Sequence, residues 1–141
     1  MPTTSINRDQ LRTHLRRAGL RATRARLDLA TLIFGEGDRH FTAEALHREA
    51  GDAAIDVSLA TIYNTLNRLA AVGLLQRIVL DSRRTYFDTN TQPHHHLFDE
   101  DAGRLEDVPV GAVELNGLPE IPDGTHIESV DIVIRVRRDE A

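Results

Sequence analysis

With 141 residues, 40% hydrophobic and 28% charged, the chain can hold one or two small domains with real cores but little surplus. The absence of cysteine excludes a disulfide framework, a thiolate zinc site and a cysteine nucleophile. The net charge of −5 hides a split, since residues 1–90 sum to +3 and residues 91–141 to −8, with every basic residue an Arg. Seven of these (Arg8, Arg12, Arg16, Arg17, Arg21, Arg24 and Arg26) fall within nineteen residues. Such a run suggests a half that meets an anion, nucleic acid above all. A solvated Arg-rich helix face is the plainer alternative. No charged leader precedes an apolar run and no stretch is apolar over a membrane's thickness, so a cytoplasmic protein without a membrane partner is expected.

In chain order, residues 1–6 read as a loose terminus. Asn7 with Gln10 forms a capping-box pattern, and Leu11 and Leu15 then predict a helix over 8–18 ended by Gly19. Thr23 caps a second helix, apolar at Leu27, Leu29, Ala30, Leu32 and Ile33, which Gly35 and Gly37 stop. Thr42 opens a third short helix, with Ala43, Leu46 and Ala50 inward. Ser58 caps a fourth, to about Val72, whose inner side carries Leu59, Ile62, Leu66, Leu69 and Ala70, with Gly73 as the left-handed residue after it. The period then changes: Leu75–Leu80 and Arg84–Asp88 read as strands about the turn Asp81-Ser82-Arg83. Helices followed by a two-stranded hairpin are the layout of a winged helix-turn-helix. The outward residues of its fourth helix (Ser58, Ala60, Thr61, Tyr63, Asn64 and Arg68) suit DNA. Hydroxyls meet phosphates, Asn pairs with adenine, and Ala or Tyr touches a thymine methyl.

Residues 89–93 read as a hinge. Beyond it, His96-Leu97-Phe98 and Arg104–Val108 predict a hairpin about Asp101-Ala102-Gly103. Three Pro and three Gly over 109–125 argue against a long helix there, and alternation over Ile127–Val136 predicts a closing strand. The fold class is therefore α+β, with a winged-helix domain over 1–88, the hinge, and a small mostly-β domain over 94–141. So small a core barely offsets chain entropy, and pairing of two copies or a bound metal would supply the difference.

Asp88 and the run His94-His95-His96 carry ligand chemistry. Imidazole is the commonest side-chain donor to borderline divalent metals, and a carboxylate adds a hard oxygen. On a strand, His94 and His96 share one face and His95 the other, an H-x-H clip that needs further ligands. A solvated polar loop is the alternative. The same residues could serve a metal-dependent hydrolase or oxygenase as a facial triad, but no further acid–base constellation accompanies them. A metal- or haem-buffering protein would explain the His run but leave the Arg-rich helix unused.

The segments Arg17–Arg26, Phe41-Thr42-Ala43-Glu44, Ser58–Leu66, Ala71-Val72-Gly73-Leu74-Leu75 and the His run together resemble the ferric uptake regulator family over nearly the whole chain. Within it the chain looks most like the iron response regulator branch, on Arg84–Asn90, the three adjacent His, the missing cysteines and the short Leu118–Pro122 segment. The resemblance implies a homodimeric DNA-binding repressor of iron and haem metabolism on a palindromic AT-rich operator. Metal would be held between the winged helix and the dimerisation domain. It maps the divalent metal ligands (Fe, Mn or Zn) onto His40, Asp88, His94, His96 and Asp107, a haem contact onto His94, His95 and His96, and DNA contacts onto Arg17, Arg21, Ser58, Ala60, Thr61, Tyr63 and Asn64. A peroxide sensor using Fe(II) at the same ligands is the nearest alternative.

Three departures from the family pattern matter. Asp99 and Ala102 stand where a cysteine pair would clamp structural zinc, so no Cys-ligated zinc is expected. Val130 replaces a histidine of a further metal site, with His126 four residues earlier. No room remains between Pro109 and Gly124 for a long dimerisation helix, so dimerisation would rest on the strand at Ile127–Val136.

Overall fold

The computed structural model describes residues 6–140, so the expected loose terminus lies, but for Ile6, outside the described residues. The chain divides into two compact units, one ending at Thr91 and the other beginning at Gln92. The first contains α1 (Arg8–Arg17), α2 (Arg24–Phe34), β1 (His40–Phe41), α3 (Ala43–Asp52), α4 (Leu59–Ala71), β2 (Gln76–Val79) and β3 (Thr85–Asp88). The second contains β4 (His95–Asp99), β5 (Arg104–Val108), a 3-10 turn (Val110–Ala112) and β6 (Val133–Val136).

Each helix of the first unit starts where a side chain satisfies an otherwise orphaned backbone N–H. Asn7 and Gln10 make a reciprocal capping box, while Thr23, Thr42 and Ser58 accept from Arg26, Ala45 and Thr61 respectively. Gly73 takes φ +78° just past α4, a conformation that L residues with a Cβ reach only with strain. One core results. Leu11 and Leu15 of α1, Leu29 and Ile33 of α2, Leu46 of α3, Ile62, Leu66 and Leu69 of α4, and Phe87 of β3 are all at most 1% exposed. Each such side chain stabilises the fold by about 1.5–3 kcal/mol. Helices α3 and α4 then form the helix-turn-helix and β2–β3 the wing.

At the tip of the wing, Asp81 Oδ1 accepts the backbone N–H groups of Arg83 and Arg84, both at 2.9 Å. Its Oδ2 takes the Arg84 guanidinium at 3.0 and 2.6 Å. These bonds favour the anion and hold the Asp81 carboxyl down at about 2. The hairpin sheet also has a third strand that local pattern did not suggest. Its order is β1-β3-β2, with His40 opposite Asp88 and Phe41 opposite Phe87.

In the second unit the sheet order is β5-β4-β6. Strands β4 and β5 are antiparallel, with His96 opposite Asp107, and β6 runs parallel to β4. The strand expected over Ile127–Val136 is realised only at its end, because a ladder needs a partner and β6 pairs only with His96–Asp99. No long helix forms in 109–125. At the β4–β5 turn, where a cysteine pair is missing, Asp99 accepts the N–H groups of Asp101 and Ala102 and an ion pair from Arg138 at 2.7 Å.

Candidate metal centre

In the second unit two imidazoles and a carboxylate converge. His94 Nε2 stands 3.3 Å and His96 Nε2 3.6 Å from the same oxygen, Asp107 Oδ1. The two rings meet edge to face with centroids 4.5 Å apart. Register explains the meeting: His96 lies directly across the ladder from Asp107, and His94 sits two residues before it on the same side.

Chemistry then restricts what can lie among these atoms. His94 Nδ1 is 2.6 Å from the Gln92 carbonyl, and a carbonyl only accepts, so Nδ1 carries the proton. The neutral ring therefore turns the lone pair of Nε2 toward Asp107. Lone pair faces lone pair, which is repulsive unless a cation, either a proton or a metal ion, sits between them. A tetrahedral ion with bonds of 2.0–2.1 Å needs donor atoms about 3.4 Å apart. The observed 3.3 and 3.6 Å meet that need, so these three residues fit a divalent ion. Gln92 in addition fixes the ring orientation, as carbonyl partners of metal-binding histidines do.

His95 faces the other way. It is 6% exposed, lies opposite Val108, and its Nδ1 has no hydrogen-bond partner among the described residues. In the first unit the other two expected ligands are themselves neighbours. His40, half-buried, lies directly across the β1–β3 ladder from Asp88, a placement that sets Cβ atoms about 4.5–5.5 Å apart. Asp88 is 1% exposed, and its Oδ1 accepts the Asn90 N–H at 2.8 Å. Of the five residues, His40 and Asp88 belong to the first unit and His94, His96 and Asp107 to the second.

Of the expected nucleic-acid residues, Ser58 caps α4, Ala60, Thr61, Tyr63 and Asn64 lie on it, Arg17 ends α1 and Arg21 follows α1. Ser58, Ala60, Asn64, Arg17 and Arg21 are exposed, and Thr61 and Tyr63 are half-buried. Two have second occupations. Arg17 donates to the Val72 carbonyl at the end of α4 at 3.3 Å. The Tyr63 phenol donates to Glu44 Oε1 at 2.5 Å, which pushes its pKa up. Sequence reasoning passed over Asn67, exposed one turn beyond Asn64 and bearing the same amide. The i, i+3 spacing was its available signal. Glu44 had none, because its partner lies nineteen residues away.

A winged helix-turn-helix joined to a small sheet domain with a histidine–carboxylate cluster defines a metal-binding regulator of the DNA-binding kind. The model of the "Ferric uptake regulator family" matches residues 17–135, and the chain belongs to that family. It is 35% identical over 94 residues to the ferric uptake regulation protein of Cupriavidus metallidurans, covering 66% of each chain. That span is just under two thirds of the relative's length. It is 30% identical over 104 residues to the protein of the same name from Klebsiella pneumoniae, covering 73% of this chain and 67% of that one. Two solved structures share the fold. The Pseudomonas aeruginosa ferric uptake regulator, solved with manganese, gives a TM-score of 0.68 at 23% identity over 92% of this chain and 98% of that one. The Vibrio cholerae regulator gives 0.67 at 20%, over 90% and 98%. The family consists of transcription regulators, so the enzyme reading of the histidines and Asp88 falls away. No helix among the described residues is long and apolar enough to cross a membrane.

Proposed function

We propose that the chain is a homodimeric, metal-responsive DNA-binding regulator, mainly a repressor, of iron and haem metabolism genes. The observation that carries this reading is the convergence of His94, His96 and Asp107 on one point, with the His94 lone pair turned toward the carboxylate. Nitrogen and carboxylate donors together suit Fe(II), Mn(II) or Zn(II). His40 and Asp88 of the first unit are the two further ligands of the proposed set. Ligand binding then fixes how a winged helix is held relative to its sheet domain, and in a dimer that sets the separation of two recognition helices. They must match half-sites about one helical turn, or a multiple, apart. Specificity comes from Asn64, Tyr63, Thr61 and Ala60 against base edges, while Ser58, Arg17 and Arg21 engage phosphates.

Dimerisation is supported by apolar exposure in the second unit. Val110, Leu115, Leu118, Ile121, Ile127, Val130 and Ile134 are each at least 37% exposed, and β6 lies at a sheet edge. So much uncovered apolar surface in so few residues marks an interface. Haem contact at the His run is supported by one further feature. The buried Nδ1 of His95 lacks a partner among the described residues, and neutral imidazole is an ordinary axial ligand.

Mobility shift of the full-length protein on a pool of AT-rich palindromic duplexes tests the reading, with Mn(II), Zn(II), Fe(II), haem or a chelator present. The expected result is DNA affinity that changes with at least one divalent metal. Affinity indifferent to every addition would overturn the reading. Loss of DNA binding when peroxide meets only the Fe(II)-loaded protein would assign the chain to peroxide sensing instead.

A further inference from the structure

Arg39 and Thr89 flank the two proposed ligands of the first unit: Arg39 precedes His40, and Thr89 follows Asp88. The two residues are bonded three ways. Thr89 N–H donates to Arg39 O at 3.0 Å, Arg39 N–H donates to Thr89 Oγ1 at 2.9 Å, and the Thr89 hydroxyl donates to Arg39 O at 3.3 Å. Whatever fixes His40 against Asp88 therefore fixes the backbone of Arg39.

The side chain of Arg39 then leaves the strand for the helices. Its guanidinium makes a two-point contact with Glu49 on α3, at 2.9 and 2.7 Å. Nη1 also donates to the Leu32 carbonyl at 3.2 Å, one of the last four carbonyls of α2, which lack helical partners. The cation lies over the Phe41 ring, 4.8 Å from its centroid. One side chain thus ties the ligand-bearing end of the sheet to α2 and α3. Helix α3 in turn holds α4 through the Glu44–Tyr63 hydrogen bond. A bidentate guanidinium–carboxylate pair is planar and directional, so it transmits position where a point charge would tolerate drift.

We propose that Arg39 is the positioning residue through which metal at His40 and Asp88 sets the helix-turn-helix. The inference rests on the reading that these two residues take part in metal binding. A metal held by His40 and Asp88 would tie β1 to β3, Thr89 would pass that constraint to the Arg39 backbone, and the Arg39–Glu49 fork would hold α3 and with it α4. Coupling between two such sites typically changes affinity 5–150-fold.

The test uses the full-length protein with Arg39→Lys and, as the milder change, Glu49→Gln. Calorimetry with Mn(II) and Zn(II) gives metal affinity without DNA. Fluorescence anisotropy on a duplex selected by the wild-type protein gives DNA affinity with metal and with chelator. Both variants are expected to keep wild-type metal affinity, while the ratio of the two DNA affinities collapses toward one. A purely structural role would lower both DNA affinities together and leave that ratio standing, which would overturn the inference. Metal affinity lost along with the ratio would also overturn it, placing Arg39 in the metal site itself. If the wild-type ratio is already one, the metal-responsive reading fails first; if the wild type responds to metal and the variants keep its ratio, the relay alone fails.

Discussion

Alanine at His94 or at His96 should nearly abolish tight metal binding, whereas alanine at His95, between them, should leave it nearly intact. Donor separations of 3.3 and 3.6 Å around Asp107 Oδ1 leave no slack for a missing imidazole. Four-ligand structural zinc is held by about 10–16 kcal/mol, or about 3 kcal/mol per donor. At about 1.4 kcal/mol per decade, one lost histidine weakens binding roughly a hundredfold. Asp107→Ala should weaken it less, because that side chain is 47% exposed and water can take its place. Affinity should fall on acidification in the wild type, since protons compete for the same nitrogens. Titration with Zn(II) against a competing chelator reads all four variants on one scale. If His95→Ala loses metal as completely as His94→Ala, the donor set built from the β4 register is wrong.

Asn64→Ala should cost about 1–3 kcal/mol on the cognate duplex and relax discrimination there, while Arg21→Ala weakens all sequences alike; equal loss on cognate and random DNA would remove Asn64 from base reading. Ile134→Arg places a charge on the exposed side of the edge strand β6, and sedimentation should show monomer or aggregate; an intact folded dimer would refute the interface. The Arg39 guanidinium, through its hydrogen bonds to Glu49, holds the Glu49 carboxyl below its usual value. A depressed folded value means stability that is present above the unfolded pKa and lost as pH falls through the folded one. Urea midpoints between about pH 5 and pH 3 should therefore drop less steeply in Glu49→Gln than in wild type, and equal slopes would show that the pair contributes nothing in solution.

The helices were legible because their determinants are local. The caps at Asn7, Thr23, Thr42 and Ser58 act within three residues of themselves, and the inward leucines repeat at helical spacing. Strand β1 was not legible. Two residues carry no periodicity, and His40–Phe41 becomes a strand only because Phe87 and Asp88 arrive from far along the chain. The overlong reading of β6 has the same origin in reverse: alternation over Ile127–Val136 states a preference, but a ladder extends only as far as its partner. Within the site, spacing alone suggested His94 and His96, whereas Asp107 came only from resemblance. Its place beside them depends on the β4–β5 register, which brings residue 107 across from residue 96. Arg39 gave no sequence signal, since its roles are all defined by partners at a distance.

The distribution of buried polarity points to ligand binding more strongly than any single distance. Among the described residues, the buried polar or charged side chains are Thr65, Asp88, His94, His95 and His96. Thr65 is explained locally by its bond to the Thr61 carbonyl within α4. The other four fall in nine consecutive positions around the junction of the two units. A chain selected for stability alone would put apolar residues there, since buried ionisable groups are often replaced by hydrophobic ones at no loss or with a gain. Keeping a carboxylate and three imidazoles out of water is costly unless hydrogen bonds, a charge partner or a bound ion meet them. A protein that meets that cost only when an ion is bound has its stability tied to the ion. With an ion bound at these residues, the same linkage would make the segment between its DNA-reading and sheet units responsive to metal supply.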